Sequence, residues 1–129
     1  MPFNKIHVPT ALPAAMCGMI NEQLHESLVE TCGVNPDDNF CLVTRYASDD
    51  IILHPTFLGE RDPAGTIVIE VTLLAGRTDQ QKEAFYKNIR HRLRKIGFEP
   101  RNSIVFLVEN RAIDWSFSEA GSVKSVLGL

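Results

Sequence analysis

The chain has no apolar run long enough to cross a bilayer and no charged-then-apolar leader at its start, which sets the expectation of a cytoplasmic protein with no membrane partner. It has no excess of positive charge. Thirteen Lys and Arg against 16 Asp and Glu leave a net charge of −3, so nothing draws it to nucleic acid or to an anionic surface. Cysteines are few and follow no C-x-x-C spacing. Cys17, Cys32 and Cys41 are odd in number and sit in apolar stretches, which points to buried reduced thiols rather than a disulfide frame. His7, His25, His54 and His91 show no H-x-x-x-H pattern and no partnering cysteines, so no metal site is expected. Low-complexity segments are absent as well.

What is present is the material of one globular domain, 1–129, with 44% hydrophobic and 22% charged residues. Its organisation comes from an internal repeat. A shift of 64 residues lays Gly33-Val34-Asn35-Pro36 on Gly97-Phe98-Glu99-Pro100, and Phe40-Cys41-Leu42-Val43 on Ile104-Val105-Phe106-Leu107. The same shift puts Pro2-Phe3 on Thr66-Ile67. Proline at a strand start is unremarkable, because a first position tolerates a missing N–H.

Between these anchors each half carries helical periodicity. Met16, Ile20, Leu24 and Leu28 recur every fourth residue within 14–32, and Gly33 follows as a left-handed cap. In the second half Thr78-Asp79-Gln80-Gln81 reads as a capping box, Phe85, Ile89, Leu93 and Ile96 continue the stripe, and Gly97 ends it. Strands are expected at 3–8, 39–46, 66–74 and 103–109, with helices at 14–32 and 78–96. The fold class is therefore α+β: two tandem βαβ units, 2–46 and 66–110, forming a four-stranded sheet with two helices on one face, followed by a tail, 111–129. Ile104-Val105-Phe106-Leu107-Val108 is apolar at both parities, as a strand buried on both faces is. With no third helix to cover the second face, an oligomer with its sheets facing inward is expected.

The loop Leu73-Leu74-Ala75-Gly76-Arg77-Thr78 leads from a strand into a helix N-terminus, where free N–H groups and the dipole favour an anion. Arg77 adds a planar fork suited to a carboxylate. Read without further context, Arg77 is a surface residue beside a turn glycine, Asp38 a turn residue ahead of a strand, and Trp115 and Phe117 packing residues.

Proline directly after Met, the tandem βαβ units, the G-R-T-x-x-Q-K stretch (Gly76, Arg77, Thr78, Gln81, Lys82) and D-W-S-F (Asp114 to Phe117) together resemble the tautomerase superfamily. More narrowly they resemble its malonate semialdehyde decarboxylase-like branch. The resemblance implies that Met1 is removed and that the Pro2 amine is a catalytic acid or base. An α-amino group titrates near neutrality, and an apolar wall with an adjacent arginine disfavours its ammonium form. By motif, Arg77 would hold a substrate carboxylate, Asp38 in Pro36-Asp37-Asp38-Asn39-Phe40 would position a water, and Trp115 and Phe117 would wall the pocket. No cofactor is implied, the substrate class is a small 2-oxo or 3-oxo carboxylic acid, and the assembly implied is a homotrimer. Decarboxylating members carry two arginines bracketing a proline. This chain reads L-L-A-G-R, which leaves tautomerase, hydratase and decarboxylase chemistry open; Arg45 and Arg111 are the other cations near these segments. The rival reading is a non-catalytic oligomeric module that binds a small acid or a protein.

Three further segments carry expectations. Arg90, His91, Arg92, Arg94 and Lys95 read as a solvated face near a helix C-terminus rather than a nucleic-acid stripe. In the connector 47–65, Ile51-Ile52-Leu53 is a candidate short strand, and the tail 118–129 a candidate edge strand for a neighbouring subunit. His25, close to the first helix's apolar stripe, is expected to be structural.

Overall fold

The computed structural model describes residues 1–129. Strand β1 (Pro2–Pro9) leads to helix α1 (Ala14–Cys32) and strand β2 (Cys41–Tyr46), then β3 (Ile67–Leu74), α2 (Asp79–Lys95) and β4 (Ser103–Asn110), with a short helix α3 (Val123–Leu127) in the tail. The strands form one sheet in the order β2-β1-β3-β4. The pairs β1/β2 and β3/β4 are parallel, as each βαβ crossover requires, and β1/β3 is antiparallel, joining the two units. Pro2 lies opposite Leu73 at one end of that central pair.

Alternation along the strands assigns the two faces of the sheet. Ile6 and Val8 of β1 and Ile67, Ile69, Val71 and Leu73 of β3 are fully or almost fully buried against Ile20, Leu24 and Leu28 of α1 and Phe85, Ile89 and Leu93 of α2. Truncating Phe85, which is completely buried, to alanine would cost about 3–5 kcal/mol through lost burial and the cavity left behind. The expected helix ends are present: Thr78 and Gln81 form a reciprocal capping box, and Gly33 caps α1 with φ 66°. The other face of the sheet is open and leaves Leu42, Phe106 and Val108 about half exposed. Phe106 and Val108 belong to the apolar run of β4 from which a covering partner was expected.

Several expectations are corrected. The tail does not form an edge strand: Ser122 caps α3 by accepting from Ser125 N, and Val123 N donates to Trp115 O at 2.8 Å, folding the tail back on its own chain. Ile51 to Leu53 pair with nothing and follow a 3₁₀ turn at Ser48–Asp50. The basic face of α2 is only partly solvated. Arg92 reaches across to Glu26 and Glu30 of α1 at 2.7 and 2.6 Å, and Arg90 donates to Ser103 O at 3.1 Å. Cys17 and Cys32 are buried thiols, whereas Cys41 is half-buried on the outer strand. No helix is long and apolar enough to cross a membrane.

Candidate active site

The parallel register of β1 and β2 continues back beyond the first residue of β2, toward the start of the chain. Asn4 lies opposite Cys41, Phe3 stacks on Phe40 with ring centroids 6.1 Å apart, and the Met1 amine lies 2.9 Å from Asp38 Oδ2. The loop before β2 is therefore laid alongside the first residues of β1, one residue opposite another. Standard backbone dimensions place the Pro2 nitrogen no more than about 3.7 Å from the Met1 nitrogen, so it lies within about 6.6 Å of that carboxylate oxygen.

Local bonds hold this loop in place. Asn35 turns it, its side-chain oxygen accepting from Asp37 N and its carbonyl from Asp38 N, both at 2.9 Å. From α1, His25 Nε2 meets Pro36 O at 2.7 Å and Asn21 Nδ2 donates to Asn39 Oδ1 at 3.3 Å. His25 thus has the structural part expected of it, and that part is to anchor the segment carrying Asp38.

Met1 and Asp38 open onto a cavity of about 290 Å³ whose walls are Phe117, Val123, Val126 and Leu127, with Ser118 and Gly121. Trp115 stands behind that wall. It stacks on Phe117 (5.5 Å, 14° between planes), Phe117 meets Phe40 at 5.2 Å, and Phe40 continues to Phe3. The Trp115 indole N–H donates to Asn110 Oδ1 at the end of β4, which satisfies its polar atom while the ring is buried. Four aromatic rings from three parts of the chain make a continuous row.

Arg77 sits at the same end of the sheet with its guanidinium directed elsewhere. Its Nε donates to Cys32 O at the end of α1 and its Nη1 to Leu74 O at the end of β3, each at 3.1 Å. It is not among the residues that line the cavity. Beside it, Glu109 is held below the ordinary carboxylate range chiefly by its hydrogen bond to Lys82, with further help from Gly76 N–H and the Arg77 charge. Arg45 donates to Leu12 O at 2.6 Å on the helix side, and Arg111 pairs with Asp114 in the exposed tail. The structure thus brings Pro2, Asp38, Phe117 and Trp115 together at one end and puts Arg77 in the adjoining loop. The sequence reading missed α3, whose Val123, Val126 and Leu127 form half the wall. The cap signal Ser122-x-x-Ser125 was present for it, but five residues are too short for helical periodicity to show.

A family model described as "Tautomerase enzyme" matches residues 38–118. The chain belongs to the tautomerase family. Among curated tautomerases, the probable tautomerase YusQ of Bacillus subtilis (strain 168) is 29% identical over 118 residues, covering 91% of this chain and 93% of its own. Among solved structures, FG41 malonate semialdehyde decarboxylase inhibited by 3-bromopropiolate superposes with a TM-score of 0.87 at 29% identity, over 98% of this chain and 95% of that one. A second malonate semialdehyde decarboxylase, described with both decarboxylase and hydratase activities, gives 0.85 at 28% identity over 98% and 97%. This member of the family therefore shares its whole architecture with both decarboxylases.

Proposed function

We propose that the chain is a cofactor-independent enzyme in which the Pro2 amine, freed by hydrolytic removal of Met1, acts as general acid or base on a small 2-oxo or 3-oxo carboxylic acid. The observation that carries this reading is the Met1 amine on Asp38 Oδ2 at the mouth of an apolar cavity. A terminal amine is thus already held beside a carboxylate and against aromatic walls, and loss of one residue moves that amine one position inward. Asp38 favours the charged amine, the form that donates a proton to carbon, and can orient a water for hydration. The apolar wall favours the neutral amine, the form that removes a proton next to a carbonyl in tautomerisation. Both effects act on the same nitrogen, so keto-enol tautomerase activity is the primary assignment, with hydratase or decarboxylase activity alongside it. Trp115 and Phe117 keep the site dry, which strengthens each polar contact within it.

Arg77 is assigned the substrate carboxylate through its remaining N–H donors. The whole chain, 1–129, works as one unit of this kind, in the cytoplasm, with the open face of the sheet covered by further copies in a homotrimer. The rival reading is a non-catalytic module binding a small acid or a protein. One observation favours it: the Arg77 fork is already engaged by two backbone carbonyls, and no cationic side chain lines the cavity.

Steady-state turnover of phenylenolpyruvate and of a 3-oxo acid, in the processed protein and in Pro2→Ala and Asp38→Ala, tests the proposal. Losses of about 100-fold or more in kcat in both variants with native folding support it. Turnover in both variants equal to that of the parent protein sinks it. Exposure to 3-bromopropiolate, which inhibits the FG41 relative, supplies a second readout: a covalent adduct confined to Pro2 supports the assignment, and an adduct elsewhere opposes it.

A further inference from the structure

The 64-residue repeat extends beyond the strands and helices into the segments that wall the cavities. The 3₁₀ turn Ser48–Asp50 after β2 and the turn Ala112–Asp114 after β4 are related by that shift, as are Leu53 and Phe117. Phe117 walls the cavity at Met1 and Asp38. Leu53, with Ile51 and Ile52, walls a separate cavity of about 230 Å³ at the opposite end of the sheet, shared with Val8, Val68, His7, Tyr46 and Thr66. Thr66 stands where the repeat places Pro2. Even the polar anchor recurs: Asp38 Oδ2 accepts from the Met1 amine at 2.9 Å, and its counterpart Asn102 accepts through Oδ1 from Asp62 N at 2.8 Å. There the chain runs on through 62–65 into β3, so this end has no terminal amine. Of the walls of the first cavity the second keeps the Phe117 position alone, taken by Leu53, and it lacks the terminal nitrogen.

What it has instead is a hydrogen-bonded line on the open face of the sheet. Glu70 Oε2 lies 3.3 Å from His7 Nε2, and His7 Nδ1 lies 2.8 Å from Tyr46 Oη. A carboxylate only accepts, so His7 Nε2 is the donor to Glu70, while Nδ1 and the Tyr46 hydroxyl share the second bond. That leaves the Tyr46 oxygen a lone pair free to accept from a ligand. Thr66 Oγ1 donates to Asp62 O at 2.6 Å and is likewise left as an acceptor. Asp50 adds a carboxylate to the lining, and no Lys or Arg faces the space. Three acceptors, five aliphatic side chains and no Lys or Arg, with both His7 nitrogens already engaged by Glu70 and Tyr46, select a ligand with the opposite charge from an acid substrate.

We propose that this cavity is a second binding site, for a small apolar molecule bearing a protonated primary amine, with Tyr46, Thr66 and Asp50 receiving the ammonium hydrogens. Its volume is below the range of drug-sized pockets, so the ligand is fragment-sized. The site binds and does not react, and it exists whether or not Pro2 is catalytic.

Methyl NMR with 2-phenylethylamine as the probe, and 3-phenylpropionate as an anionic control of closely similar shape, tests this on the full chain. The expected result is saturable movement of the Val8, Ile51, Ile52, Leu53 and Val68 methyls with the amine and at least about tenfold weaker binding of the acid. Tyr46→Phe removes one acceptor and is expected to weaken the amine about tenfold. Val68→Phe fills the space and is expected to abolish binding, with unmoved Ile20 and Leu93 methyls reporting an intact core; Leu53→Phe replaces it should Val68→Phe fail to fold. No saturable movement at these methyls up to about 10 mM amine overturns the proposal, and so does a second copy of the chain filling the cavity. Equal affinity for acid and amine overturns it too, as does amine binding unchanged in both Tyr46→Phe and the cavity-filling variant.

Discussion

Replacing Arg77 with alanine separates what this residue does for the fold from what it is proposed to do for a substrate. In the structure its Nε and Nη1 tie the carbonyl of Cys32, at the end of α1, to that of Leu74, at the end of β3. Hydrogen bonds from a charged donor are worth about 1.5–3 kcal/mol each. Arg77 is only half-buried, and water can take over part of each bond, so the combined loss is about 2–3 kcal/mol. With a urea slope of about 2 kcal/mol/M for a chain of this size, the unfolding midpoint should fall by about 1–1.5 M. Arg77→Lys, whose single ammonium can reach one of the carbonyls, should recover about half of that. The assay is urea unfolding followed by circular dichroism, with protein concentration held constant because an oligomer's stability depends on it. A midpoint that moves by less than about 0.3 M in Arg77→Ala, or identical midpoints for the Lys and Ala variants, would refute the reasoning. Should Arg77 also bind substrate, KM for a carboxylic acid should rise in Arg77→Lys even though about half of the lost stability is recovered.

Three further outcomes are expected. Thr78→Ala removes the half of the α2 capping box in which Thr78 Oγ1 accepts from Gln81 N, and should cost about 1 kcal/mol, read as a lower urea midpoint that Thr78→Ser restores. Glu30 and Glu109 are held below the ordinary carboxylate range, chiefly by hydrogen bonds to Arg92 and Lys82. Their contribution is therefore present above pH 4.5 and is lost as pH falls through their lowered values, while Lys82, raised above 10.5 by Glu109, loses its share only as pH rises through that raised value. Acid unfolding should accordingly begin at higher pH in Arg92→Ala than in the parent chain, and an unchanged acid midpoint would contradict the assignment. Burial pushes the Cys41 thiol up to about 11, with neighbouring Cys17 adding to the effect, so iodoacetamide should label it slowly at pH 8 and rapidly only as pH approaches 11; fast labelling of folded protein at pH 8 would be inconsistent with this environment.

The parts of the fold that were legible in the sequence are those encoded by short-range chemistry. The apolar spacing from Met16 to Leu28 and from Phe85 to Leu93, the Thr78–Gln81 box and the glycines after each helix all act within a few residues. The repeat then supplied the topology, because two copies of one βαβ unit must share a sheet. Long-range contacts were not legible. Nothing local to Arg77 indicates that its fork ends on Cys32 O, 45 positions earlier, or that Met1 meets Asp38, 37 positions later. The tail misled for the opposite reason. Its small and apolar residues alternate as a strand does, yet the Ser122 cap and the contact of Val123 with Trp115 fold it into α3 instead. Asp38, Trp115 and Phe117 were singled out through the family resemblance. The structure supplies their mutual arrangement, and it adds Phe3, Phe40 and the α3 side chains that complete the wall.

The account rests on a free and reactive Pro2 amine. The measurement that tests it most directly is intact and peptide-level mass spectrometry after exposing the protein to a small halogenated oxo acid across a range of pH. Loss of Met1 together with a single adduct on Pro2, formed with a midpoint near neutral pH that moves to lower pH in Asp38→Ala, is the result predicted. A retained Met1, or a Pro2 that stays unmodified until strongly alkaline pH, would contradict the account and leave the non-catalytic binding module in its place.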